Sequence, residues 1–233
     1  MTAPDYGSRS FSAWRAAAPD WSAYTHHRFV EGLRDGSLPR EAFLRYLVQD
    51  YLFLIHFARA WALAVVKAGS MEEMRLCSAT VQALIHFEMD LHVKTCAEAG
   101  ISQAELESAE EHPSNLAYTR YVLDAGFSGD FLDLMAALAP CVLGYGEIGW
   151  RLGRDARSEN YRAWIDTYSG GEYQELCSTV GGLLDRAAAE RLGSNAQASP
   201  RWAALSKRFT TATRLEVDFW GIGFDPAARA VQD

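Results

Sequence analysis

Leu134-Met-Ala-Ala-Leu-Ala-Pro-Cys-Val-Leu-Gly-Tyr-Gly-Glu-Ile-Gly149 is the stretch that decides how the chain is read. Leu134, Leu138, Cys141, Tyr145 and Ile148 recur at steps of four, three, four and three, which places them on one face of an α-helix. The face is apolar, so it predicts a helix packed inward with the Cys141 thiol on its inner side. Pro140 has no N–H for the carbonyl of Ala136, and its ring crowds that carbonyl. The helix should therefore bend there and leave one acceptor to be met from elsewhere. A bend beside an inward thiol suits the floor of a pocket. The other reading is a small core residue, because Cys is among the most buried residue types.

Helical periodicity extends outward from this stretch in both directions, and no convincing alternating strand interrupts it. Phe11 to Ala18 reads as a short helix stopped by Pro19. Asp20 then caps a helix carrying Trp21, Tyr24, Phe29 and Leu33 and closed at Gly36. A long helix follows from Pro39 to Gly69 and another from about Met71 to Ala99. The acidic run Glu105 to Glu111 leads into a break at His112-Pro113-Ser114, with Ser114 as the expected cap of a helix ending at Gly126. Asp130 is the expected cap of the organising helix. Further helices run over about 160–168 and 171–192, and a last one extends towards Gly223. No linker or repeat divides the chain. The expectation is one all-α domain over residues 1–233, a bundle of about eight helices, with 1–9 and 225–233 as loose termini.

Composition bounds the function. The 233 residues are 49% hydrophobic and 22% charged, which is ordinary globular composition with ample length for a core. With 22 basic and 30 acidic residues the net charge is −8, and no Lys/Arg cluster stands out, which argues against nucleic acid or an anionic membrane as the main partner. The first residues lack the basic start and apolar run of a signal peptide, and no apolar stretch is expected to span a membrane, so the expected location is cytoplasmic. Cys77, Cys96, Cys141 and Cys177 lie far apart with no C-x-x-C pair and should be free thiols.

Charges on apolar faces carry the chemistry. Asp50 lies on the stripe of Phe43, Tyr46, Leu47, Phe53, Leu54 and Phe57, where an isolated carboxylate costs several kcal/mol unless it is hydrogen-bonded or neutralised. A tyrosine or a neighbouring helix end could hold it. Glu216 repeats the pattern before Phe219 and Trp220, although it could also reach water at the edge of the stripe. Tyr118, Tyr121, Tyr145 and Tyr168 are core aromatics individually. Together with the thiol and the two acids they make a set able to bind a small, flat, polar heterocycle.

Histidine is confined to the first half of the chain, at positions 26, 27, 56, 86, 92 and 112. Glu88 and His92 sit one turn apart and suggest metal ligands, but a di-iron bundle site needs a second Glu-x-x-His, which is missing. A capped or solvated helix face is the plainer reading, and no metal is expected. A cysteine protease is also disfavoured. It needs an imidazole beside the thiol and free backbone N–H groups, and two carboxylates near Cys141 would raise its pKa.

The ordered set Gln49-Asp50-Tyr-Leu-Phe53, Tyr118-Thr119, Ala139-Pro140-Cys141 with Tyr145 and Glu147-Ile-Gly149, Tyr161-x-x-Trp164-Ile-x-x-Tyr168 and Glu216-x-x-Phe219-Trp220 resembles the TenA / thiaminase II family, over about Phe11 to Phe224. The resemblance implies a haem-oxygenase-like helical fold, a homotetramer, and a cofactor-free hydrolase that removes the amino group from 4-amino-5-aminomethyl-2-methylpyrimidine in thiamin salvage. Thiamin itself is a further substrate for members of the family. By the same resemblance, Cys141 is the nucleophile that adds to the pyrimidine ring, Glu216 handles a ring nitrogen and Asp50 binds the amidine edge. Phe53, Tyr118, Tyr145 and Tyr168 surround the ring. Gly144, Gly146, Gly221 and Gly223 depart from the bulkier residues usual in the family and are expected to reshape the pocket. Two other readings stay open: an oxidase of the same fold, like pyrroloquinoline quinone synthase or the di-iron relatives, and a non-catalytic heterocycle-binding or regulatory protein.

Overall fold

Among the described residues, 2–226 of this computed structural model, there is no strand, and eleven helical segments follow one another where about eight were expected. They are α1 (Arg9–Ala17), α2 (Trp21–Thr25), α3 (Arg28–Asp35), α4 (Arg40–Lys67), α5 (71–98, with a π turn at Leu84–Glu88), α6 (Gln103–Ser108), α7 (Pro113–Ser128), α8 (Phe131–Asp155, with a π turn at Pro140–Gly144), α9 (Arg162–Ser169), α10 (Gly171–Leu192) and α11 (Trp202–Gly221). The all-α expectation holds, and the difference in number has local causes.

The helix expected from Asp20 to Gly36 is two helices because His27 caps the second, its Nδ1 accepting from the N–H of Phe29 at 3.2 Å. That role needs a neutral ring. Burial, with the Arg28 charge adding to it, lowers the His27 pKa to about 4. The acidic run after Gly100 contains α6, started by a capping box in which Ser102 and Glu105 satisfy each other's backbone N–H. At α7 the cap is His112, not Ser114, and Pro113 takes the first helical position.

The chain divides into two compact units. The first comprises residues 2–38 and 135–217, the second residues 39–134 and 218–226. In the first, Phe11, Trp14, Trp21 and Phe209 form an aromatic core, with Trp21 stacked on Phe209 at 5.5 Å and Trp14 at 5.8 Å from the same ring. Residues 5–10 are not a loose end. Asp185 on α10 accepts from the Ser8 hydroxyl and from the N–H groups of Arg9 and Ser10 at 2.9–3.0 Å, and Tyr6 is buried. Most of the expected loose tail, from residue 227 onward, lies outside the described residues.

In the second unit α4 is buried along most of its length. Gln49 ties it to the start of α7: its amide donates to the Glu110 carbonyl at 2.8 Å and accepts from the His112 N–H and the Asn115 amide. Contrary to the sequence expectation, one helix among the described residues is, by length and composition alone, long and apolar enough to cross a membrane. It is α8, and 89% of its apolar window is buried inside the protein, as in a core helix.

Candidate active site

Pro140 deforms α8 as its chemistry requires, but the deformation is a π turn over Pro140–Gly144 and not a simple bend. Side chains of the first unit meet the carbonyls of this turn. Tyr24 donates its hydroxyl to the Pro140 carbonyl at 3.2 Å, Tyr173 donates to that of Val142 at 3.3 Å, and the Cys177 thiol reaches the same Val142 oxygen at 3.5 Å. Cys141 sits inside this braced turn.

Exposure separates the four thiols. Cys77, Cys96 and Cys177 are completely buried, while Cys141 is partly exposed. Burial pushes Cys177 up to about 12. Burial and the Glu73 charge take Cys77 to about 12, and burial with the Asp50 charge takes Cys96 to about 11. These three are inert at neutral pH. Cys141 is the thiol that a solute can reach.

Tyr145, one turn beyond Cys141, packs edge-on against Tyr168 at 5.0 Å. Tyr168 in turn contacts Trp164 at 4.5 Å and Tyr173 at 4.9 Å. Gln174 holds the cluster by donating to the carbonyls of Gly146 and Tyr168 at 2.9 and 2.8 Å. Glu147 is buried as an ion-pair partner, accepting from Arg15 at 3.0 Å and from the Trp21 indole at 3.1 Å, so its role is structural. Glu216 on α11 is 1% exposed and belongs to this unit as well.

The glycines beside Tyr145 do not open the pocket as the departures from the family suggested. A Cβ on Gly144 would run into the Tyr24 ring, and one on Gly146 would meet the Cys177 sulfur and the Tyr6 hydroxyl, each at 2.5 Å. The missing side chains are replaced by neighbours. Gly221 has open space around it, and the Gly223 carbonyl accepts from Arg45 at 3.0 Å.

The second unit holds Asp50, Phe53 and Tyr118. Phe53 lies 5.1 Å from Tyr118, 5.3 Å from Phe57 and 5.3 Å from Phe219, while Tyr46 contacts Trp220 at 5.3 Å. Asp50, 4% exposed, has the partner its burial demands. Its Oδ2 accepts from the Tyr46 hydroxyl at 3.0 Å and meets His92 Nε2 at 2.7 Å. The Tyr46 half of this was legible one turn away on α4. The His92 half was missed, because the Glu88/His92 spacing suggested a metal or a solvated face. Both His92 nitrogens are engaged, Nδ1 with the Glu88 carbonyl at 2.9 Å, so the ring offers no lone pair to an ion. Among the described residues no group of three His, Cys, Asp or Glu could hold a metal.

A helical fold carrying a reachable thiol, two buried acids and two aromatic clusters can be set beside known proteins. A solved structure from Silicibacter sp. TM1040, described as a TenA family transcription regulator, superposes with a TM-score of 0.93 at 59% identity, covering 94% of this chain and 98% of that one. An uncharacterised protein of Haemophilus influenzae is 39% identical over 91% of this chain and 96% of its own length. The aminopyrimidine aminohydrolase of Halalkalibacterium halodurans is 37% identical over 92% of this chain and 94% of its own length. The aminopyrimidine aminohydrolase relatives place the chain among the hydrolases. The TENA/THI-4/PQQC family profile matches residues 14–225, and the chain belongs to that family.

Proposed function

We propose that the chain hydrolyses 4-amino-5-aminomethyl-2-methylpyrimidine to the 5-hydroxymethyl compound and ammonia, without a cofactor, and that it cleaves thiamin by the same chemistry in thiamin salvage. The observation that carries the reading is the singular accessibility of Cys141, held in a braced π turn while the other three thiols are sealed. The aminohydrolase relatives support the substrate class. In this reading the protein is a cytoplasmic homotetramer.

The Cys141 sulfur adds to a ring carbon while a ring nitrogen takes a proton, with Glu216 managing that proton. The ring is no longer aromatic, so the C–N bond at the exocyclic methylene breaks and ammonia leaves. Water adds to the methylene carbon, the C–S bond breaks, and the thiol and the aromatic ring are restored. Asp50 receives the ring's amidine edge, and Phe53, Tyr118, Tyr145 and Tyr168 supply stacking and in-plane hydrogen bonds.

Regulation of transcription, the activity in the description of the Silicibacter structure, is a weaker reading, because a net charge of −8 opposes binding to a polyanion. The test is ammonia release from the aminomethylpyrimidine, and then from thiamin, by wild type and Cys141→Ser. Turnover by wild type that falls about 10³-fold or more in the variant is expected. A folded wild type that releases no ammonia ends the proposal.

A further inference from the structure

Asp50 uses one of its carboxylate oxygens within the protein and leaves the other. Oδ2 takes both the Tyr46 hydroxyl and His92 Nε2, whereas Oδ1 receives no hydrogen bond from any described residue, although the side chain is 95% buried. An oxygen without a donor on a side chain this buried, and itself not among the fully sealed unpartnered atoms, is an acceptor open to a ligand. The second ring nitrogen of His92 fixes where its protons can lie. Its Nδ1 faces the Glu88 carbonyl, which can only accept, so Nδ1 carries a hydrogen. The Nε2–Oδ2 contact then holds one further proton, shared by imidazole and carboxylate.

The groups acting on His92 are Asp50 with its Tyr46 partner on α4, and Glu88 on its own helix. Cys96 on α5 also feels Asp50, but its thiol stays neutral, with a pKa pushed up to about 11 by burial and by that charge. Burial alone would lower the His92 pKa, yet the hydrogen bond and charge of Asp50, helped by Glu88, turn the net shift upward. The pairing with Asp50 thus favours the charged form of His92 over the neutral ring that burial alone would leave.

We propose that His92 is a positioning residue for ligand recognition: with Tyr46 it occupies Oδ2 of Asp50 and leaves Oδ1 as an ionised acceptor, which selects heterocycles bearing an exocyclic amino group over those with an oxo group at the same place. An amino N–H completes Oδ1, whereas an oxo oxygen would face it lone pair to lone pair. The inference rests on the aminopyrimidine reading for the identity of the ring, and not for the state of His92.

Two measurements test it. The first is ¹⁵N NMR of the His92 ring in the full chain from pH 6 to 9, which needs neither substrate nor a variant. Both nitrogens protonated at pH 7.5 are expected, with that state lost in Asp50→Asn; a neutral ring in wild type overturns the proposal whether or not the protein turns over. The second compares wild type with His92→Gln, which can still donate a hydrogen bond but carries no charge. KM for the aminomethylpyrimidine should rise about 10- to 100-fold, with a much smaller change in kcat. Calorimetry should show preference for the 4-amino over the 4-oxo 5-hydroxymethylpyrimidine falling by a similar factor. Turnover in wild type with KM and preference unchanged in the variant overturns the inference and leaves the hydrolase standing. No turnover, but a protonated His92 and a wild-type preference for the 4-amino ring of tenfold or more, supports the inference and removes the hydrolase.

Discussion

Each unit contains one π turn, and the two arise and act differently. In the first unit the turn at Pro140–Gly144 has a covalent cause, Pro140, and it presents a side chain, Cys141. In the second, Leu84–Glu88 contains no proline, and it presents a backbone acceptor, the Glu88 carbonyl that accepts a hydrogen bond from His92 Nδ1. Tyrosine hydroxyls and a thiol brace the first turn, and an imidazole already committed to a carboxylate closes the second. A π turn is rare and costs regular hydrogen bonding, so each survives where its neighbours meet the displaced carbonyls. One turn holds the reachable thiol of Cys141 in place. The other holds the imidazole of a buried His–Asp pair.

The contrast is broken most severely at the charge. Asp50→Ala leaves His92 buried without its counter-ion, and removing one partner of a buried pair costs about 3–5 kcal/mol. Chemical denaturation should show that loss, and the double variant Asp50→Ala with His92→Ala should recover part of it. Additive losses would mean that the two groups do not support each other. At the thiol turn, Gly144→Ala drives a methyl into the Tyr24 ring and should cost about 1–3 kcal/mol. An unchanged denaturation midpoint would remove Tyr24 as the brace. Tyr24→Phe isolates the hydrogen bond to the Pro140 carbonyl and should cost about 1 kcal/mol. Because the bond orients the turn that carries Cys141, turnover should fall more in this variant than in Thr25→Ala on the same helix.

The first unit was the more legible of the two. Pro140 and the four-three spacing announce a deformed helix with an inward Cys141, since both signals are local to one element. Asp50 announced only that something must receive it. Its receiver lies 42 residues away on another helix, and periodicity reports which way a side chain points, not what stands opposite. His92 was visible as a helical partner of Glu88, but what it takes from Glu88 is a carbonyl oxygen and not a shared metal. Helix number failed for local reasons: His27 starts a new helix through a ring nitrogen, a use of histidine that its pattern in sequence does not signal, and the acidic run after Gly100 holds α6. His112 caps α7 in the same way, which moves the start of that helix without adding one. Gly144 and Gly146 looked like vacancies in the pocket, and the side chains that fill their places, Tyr24, Tyr6 and Cys177, come from helices and turns remote in sequence.

The finest distinction is between two histidines, one in each unit, that titrate in opposite senses. His92 has its folded pKa raised, so the stability it supplies is complete below the unfolded value of 6.5 and is lost as pH rises through the folded one. His27 has its folded pKa lowered to about 4 by burial first and the Arg28 charge second. Its contribution is therefore present above 6.5 and is lost as pH falls from 6.5 towards 4. The physical event is the loss of the lone pair on Nδ1 that accepts the Phe29 N–H, which leaves α3 without its cap. His26 and His56 are also lowered, mainly by burial, so acid lability of the wild type alone does not isolate His27. His27→Asn does, because Asn caps a helix without titrating in this range. Denaturation midpoints measured from pH 7.5 down to 4.5 should therefore separate on the acid side, with the variant losing less than wild type by an amount that grows below pH 6.5. Parallel curves would show that the cap of α3 does not depend on the protonation of His27.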